Sequence, residues 1–145
     1  MTPRLATIGY EQSTLDEVIG RLKRAGVQIV IDVHAVASSR RAGFSKTLLA
    51  ATLGEAGIDY LHLRDLGTPK PGRQAARAGR IGEMQQIFRA HLEEPAAQVQ
   101  LARACEVAQD RPAALLCYEA EAPCCHRAIV ADLIRERIGC EVADL

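Results

Sequence analysis

Val27-Gln28-Ile29-Val30-Ile31-Asp32-Val33 decides the fold. It is β-branched and almost continuously apolar, the pattern of a central parallel strand buried on both faces. Asp32 is its one charged residue, near the carboxyl end. Upstream, Leu15, Val18, Ile19, Leu22 and Ala25 recur at i, i+3, i+4, i+7 and i+10 and form one apolar helical face. Ser13 with Asp16 reads as a capping-box variant that starts this helix. Ala6-Thr7-Ile8-Gly9-Tyr10 precedes it as a short opening strand.

Downstream the same alternation continues. Ser45 opens a helix carrying Leu48, Leu49, Leu53 and Ala56, and Ile58-Asp59-Tyr60-Leu61-His62-Leu63 is a third strand. Residues 66–82, with Pro69, Pro71, Gly72, Gly79 and four basic residues, read as a loop insertion. Helical patterns resume from Ile81 to Glu94 and again after Pro95. Ala113 to Tyr118 is the fourth strand, His126 to Ile138 an amphipathic helix, and Glu141 to Leu145 a short last strand. Ala25-Gly26-Val27, Ala56-Gly57-Ile58 and Ile138-Gly139-Cys140 each read as a helix end, a left-handed glycine and a strand start. Strands alternating with helices predict an α/β, three-layer Rossmann-like sandwich, with a mostly parallel sheet of about five strands and helices on both faces. Right-handed crossovers favour the order 3-2-1-4-5, with a ligand crevice between strands 1 and 4. The 145 residues suit one domain spanning 1–145.

Composition removes several classes of function. Lys+Arg and Asp+Glu number 18 each, so charge gives no reason to expect nucleic acid. Aromatics are only 3%, too few for a stacking platform for single strands. No apolar run approaches the roughly 20 residues of a membrane span. The five cysteines are an odd number, and no signal peptide precedes the first strand. Both facts point to a reducing cytoplasm and free thiols. No G-x-G-x-x-G or P-loop occurs, so no cofactor is expected. Oligomeric state is not encoded in any pattern.

The reactive groups crowd into one turn, Cys117-Tyr118-Glu119-Ala120-Glu121-Ala122-Pro123-Cys124-Cys125-His126-Arg127. Cys125 and His126 fall at a helix start after a proline. Free amides and the helix dipole favour a thiolate there, and Arg127 pushes the same way. Cys125 is the candidate nucleophile or redox thiol; packing as a small apolar residue is the competing reading. Glu119 is the candidate acid/base partner and His126 the third catalytic candidate. A charge lock joining Glu119 to Arg40, Arg41 or Arg127 explains the same residues without catalysis. Ser38-Ser39-Arg40-Arg41 follows the second strand and suits an anion. The ligand-binding candidates are Tyr10, Glu11, Asp32, Ser39, Arg40 and Arg127. Zinc sites use pairs of ligands at short fixed spacing, and no such pair of pairs exists here, so no metal is expected. The cysteine-phosphatase loop also fails, since Pro123 stands where Cys117 would need its arginine.

Taken together, these pieces resemble the domain-of-unknown-function family 488, small bacterial and archaeal α/β proteins. The resemblance runs nearly the full length. It rests on Thr7-Ile8-Gly9, Ile31-Asp32-Val33 followed by Ser39-Arg40, Tyr60-Leu61-His62-Leu63 with Leu66-Gly67, and Cys117-x-Glu119-x-x-x-Pro123-x-Cys125-His126-Arg127. Tyr10 stands where the family usually has histidine, and His34 where it usually has arginine. The resemblance implies the fold and carries no activity. Two functions stay open. One is a cytoplasmic protein with a polar Cys/His/Arg/Glu pocket at the strand ends that takes a small anionic or nucleotide-like ligand. The other is a non-catalytic structural or protein-interaction module in which the cluster is an internal lock.

Overall fold

A computed structural model describes residues 3–35, 45–118 and 126–145. Five strands run Arg4–Gly9 (β1), Ile29–Asp32 (β2), Asp59–His62 (β3), Ala113–Cys117 (β4) and Glu141–Asp144 (β5). Six helices run Leu15–Arg24 (α1), Lys46–Glu55 (α2), Lys70–Arg77 (α3), Ile81–Leu92 (α4), Pro95–Asp110 (α5) and His126–Ile138 (α6), with a 3-10 turn at Arg64–Leu66. Every strand pair is parallel, and the order is β3-β2-β4-β1-β5.

The α/β class and the all-parallel sheet are as the sequence predicts. Relative to the expected 3-2-1-4-5, β1 and β4 have exchanged places. β4 is Ala113-Ala114-Leu115-Leu116-Cys117, buried at all five positions, and it takes the centre. β1 begins at exposed Arg4 and lies further out, where Thr7 Oγ1 donates to Asp144 Oδ1 of β5 at 2.5 Å. The α3–α5 passage therefore crosses one strand instead of two.

Strand alternation splits the core into two clusters. Ile29, Ile31, Leu115 and Cys117 face Phe88, Leu101, Ala104, Val130 and Ile134 of α4, α5 and α6. Ile8, Val30, Ala114 and Leu116 face Val18 and Leu22 of α1 and Leu49 and Leu53 of α2. A fully buried Leu or Ile contributes about 1.5–3 kcal/mol, more than the roughly 1 kcal/mol of a good cap. Packing, not capping, therefore decides that α1 forms. Its cap is nevertheless well made, one residue beyond the expected place. Thr14 Oγ1 accepts from Glu17 N at 3.2 Å, and Glu17 Oε1 accepts from Thr14 N at 3.3 Å. Glu17 reaches back where the shorter Asp16 side chain would fall short. Ser13 Oγ instead accepts from Arg21 Nη2 at 2.9 Å.

Part of the expected 66–82 loop is helix α3. Pro69 is its N-cap residue and Pro71 lies within its first turn, where no intrahelical N–H is needed. The prolines thus start a helix instead of breaking one. Gly26, Gly57 and Gly139 have φ of 73°, 79° and 67°, the left-handed stops read from the three recurring phrases.

Candidate functional site

The helices that follow β1 and β2 pack on one face of the sheet, and α6, which follows β4, packs on the other. Since β4 lies between β2 and β1, the chain diverges on both sides of its tip. Crevices at such divergences are where open α/β sheets bind ligands. The expected pairing of strand tips 1 and 4 is present: Glu11 N donates to Tyr118 O at 2.8 Å and Tyr10 N to Cys117 O at 3.3 Å.

Asp32 ends β2 beside this divergence, 2% exposed. Its Oδ1 accepts from His34 N at 3.0 Å and pairs with His34 Nδ1 at 2.6 Å. Its Oδ2 accepts from the Tyr60 hydroxyl of β3 at 2.5 Å. Burial raises the Asp32 pKa, but the bonds and charge of His34 and the Tyr60 bond outweigh it, and the net shift is downward. Burial and the neighbouring carboxylate push Tyr60 the other way, upward. At neutral pH the pair is a carboxylate and a phenol that donates to it. An ionised carboxylate only accepts, so His34 Nδ1 carries the proton of their bond. The opposite ring nitrogen, Nε2, is buried and has no hydrogen-bond partner. His62 Nε2 donates to His34 O at 2.7 Å and fixes the peptide from β3. The Tyr10 ring lies 5.9 Å from the His34 ring, and Tyr118 meets Tyr10 edge-on at 5.4 Å.

His126, at the start of α6, donates from Nε2 to Val33 O at 2.7 Å and stands edge-on to Phe88 at 5.2 Å. Burial lowers its pKa to about 4; the Val33 bond opposes that shift, and nearby His34 and Arg127 reinforce it. At pH 7 His126 is therefore neutral, and its bond to Val33 braces α6 against β2. The unfolded chain, with an ordinary histidine pKa near 6.5, binds the proton that the folded chain refuses. The resulting stability is complete above about pH 6.5 and is lost as pH falls toward 4, at up to about 1.4 kcal/mol per pH unit. Urea unfolding of wild type and His126→Gln, which keeps a donor for Val33 O, is expected to show the loss only in wild type. Parallel pH profiles would contradict this.

Arg127 is wholly buried, and its Nη1 donates to Cys117 Sγ at 2.8 Å. Cys117 is disulfide-bonded, which corrects the expectation of free thiols at that position. Cys105 and Cys140 are free and buried, and burial raises both thiol pKa values, leaving them poor nucleophiles.

Of the residues expected at the site, Tyr10, Glu11, Asp32, His126 and Arg127 gather around the β4 tip. Ser39, Arg40, Glu119 and Cys125 lie outside the described residues. The reading from sequence missed His34 and Tyr60 as parts of the Asp32 cluster. The available signal was periodic: His34 follows Asp32 by two residues, the spacing that returns a strand to the same face. Among the described residues, no group of three or more His, Cys, Asp or Glu is placed to hold a metal ion, and no helix is long and apolar enough to cross a membrane. A groove of about 1000 Å³ opens at the other end of the sheet, lined by Gly26, Pro112, Ala113 and Val142 among others. It has none of the cluster's residues.

The family described as "Domain of unknown function DUF488" matches residues 14–134. No curated protein matches the chain, and no solved structure does.

Proposed function

The chain belongs to the DUF488 family, and from that premise we propose that it binds a small anionic, nucleotide-like ligand at the carboxyl ends of β2, β4 and β1. The observation that carries this reading is the gathering of Tyr10, Asp32, His34, Tyr60, His126 and Arg127 at the topological divergence around β4. The Tyr10–Tyr118 pair offers an aromatic edge, and Tyr118 is 40% exposed. From His34 the sequence runs within a few residues into Ser38-Ser39-Arg40-Arg41, whose hydroxyls and guanidiniums suit a phosphate.

AMP is the probe. Its addition to ¹⁵N-labelled protein is expected to shift the amide signals of Tyr10, Glu11, His34 and Tyr118, with inorganic phosphate competing. Signals of Ala25, Gln109 and Val142, at the groove on the opposite end, should stay in place. Shifts confined to that groove, or none at millimolar AMP, would refute the reading.

A second reading has its own support. Arg127 is fully enclosed with its Nη1 on Cys117 Sγ, and both Asp32 oxygens are engaged by protein donors. Such a cluster also serves as an internal lock in a module that turns nothing over. A failed AMP titration favours this second reading.

A further inference from the structure

Resting on that binding reading, we propose that His34 is the general base of the pocket, acting on a phosphodiester bound there, with Asp32 as its positioning residue. The geometry is that of an oriented imidazole. Asp32 accepts from Nδ1–H at 2.6 Å, so in the neutral ring the lone pair is on Nε2. Asp32 is itself immobilised by Tyr60 and by the His34 amide. The His34 carbonyl is held by His62, and the next peptide lies against Gly67. The residue is thus restrained through its amide, its ring, its carbonyl and the following peptide.

A side chain held so firmly normally has all its polar atoms satisfied. Here Nε2 is buried without a partner, an arrangement uncommon in folded proteins and a mark of functional sites. A base needs that nitrogen unoccupied until substrate or water arrives. Among the described residues, the titratable groups tied to His34 or its Asp32 partner are Tyr60 and His62 on β3, Tyr10 after β1 and His126 on α6, with Arg127 beside His126. The phenol of Tyr60 and the ring of His126 are both already committed, to Asp32 and to Val33 O.

In the step, Nε2 takes a proton from water as the water oxygen bonds to phosphorus. The bond from phosphorus to the leaving oxygen breaks, and the proton on Nε2 passes to that oxygen. One water is consumed, an alcohol and a phosphomonoester form, and nothing is oxidised or reduced.

Bis(p-nitrophenyl) phosphate reports this reaction by colour. Wild type is expected to hydrolyse it above the buffer rate. His34→Gln should lower kcat about a hundredfold or more, the usual worth of a positioned base, with KM changed less than about threefold. His34→Ala should regain at least about tenfold on addition of imidazole, a rescue that a structural role would not give. Asp32→Asn should lower kcat while KM holds. Circular dichroism of each variant checks that it is folded. AMP binding with no hydrolysis by wild type overturns this proposal and leaves the binding reading standing. The same holds for a folded His34→Gln that works at the wild-type rate. Absence of AMP binding removes the binding reading first.

Discussion

Gly67→Ala is expected to destabilise the fold by roughly 3 kcal/mol or more and to displace His34. The cause is space, not conformation. Gly67 has φ −90° and ψ 158°, extended values open to any residue. A Cβ built on it would lie 2.0 Å from Ala35 N, 2.5 Å from Ala35 Cα and 2.6 Å from His34 C. All three are backbone atoms, so no side chain can rotate away. Both strands of chain are tied down as well. Gly67 N donates to Arg64 O at 3.0 Å, and His34 is bonded through its amide and its carbonyl. An added methyl must therefore move a peptide by about an ångström and break at least one of these bonds. Gly54→Ala is the control. Gly54 is exposed near the end of α2 with nothing within 4 Å of the added carbon. There the same change should raise stability by about 0.5–1 kcal/mol, because alanine loses less backbone entropy in a helix. Urea unfolding of the two variants should give opposite signs. A Gly67→Ala protein as stable as wild type would show that the close approach is not there.

The contrast between Gly67 and Gly26 shows what a sequence carries. Gly26 announces itself, because a glycine between an amphipathic helix and a β-branched strand has one common reason to be there. Gly67 is glycine on account of Ala35, which lies 32 positions earlier in the chain. No local pattern encodes such a contact. The strand order has the same character. Each strand is legible from its own residues, but the choice between placing β1 or β4 at the centre depends on how far α3 to α5 carry the chain. α3 itself was concealed by Pro69 and Pro71, which stop a helix in its interior and start one at its first turn. At the site, Asp32 stood out as the lone charge in an apolar strand. His34 did not, because its interest lies in which nitrogen is occupied, and that depends on Tyr60 fixing the carboxylate from a different strand.

The two readings of the cluster agree on Asp32, so its removal measures what both depend on. Asp32→Asn is expected to cost about 3 kcal/mol at pH 7. Charge-assisted hydrogen bonds contribute roughly 1.5–3 kcal/mol each, and the carboxylate accepts from Tyr60 and from two donors of His34. An amide presents one acceptor and one donor, so at least one of those groups would face an N–H. Tyr60→Phe removes one of these bonds and should cost about 1–1.5 kcal/mol. The double variant should fall short of the sum, because the lost bond is shared. The pH dependence follows from the lowered Asp32 pKa. Near and below its ordinary value of 3.8, the unfolded chain binds the proton more readily than the folded one, so stability rises with pH through that window. The wild-type advantage over Asp32→Asn is then complete above about pH 5. It shrinks as pH falls through 3.8 and on through the lower folded value. The Asp32 charge also raises the His126 pKa, so the comparison is made in the His126→Gln background, where that histidine drops out of the difference. An advantage that is equally large at pH 3 and pH 7 would mean that Asp32 is held for its shape and not its charge. The carboxylate would then have no electrostatic hold on His34, and the internal lock would be the better account of the cluster.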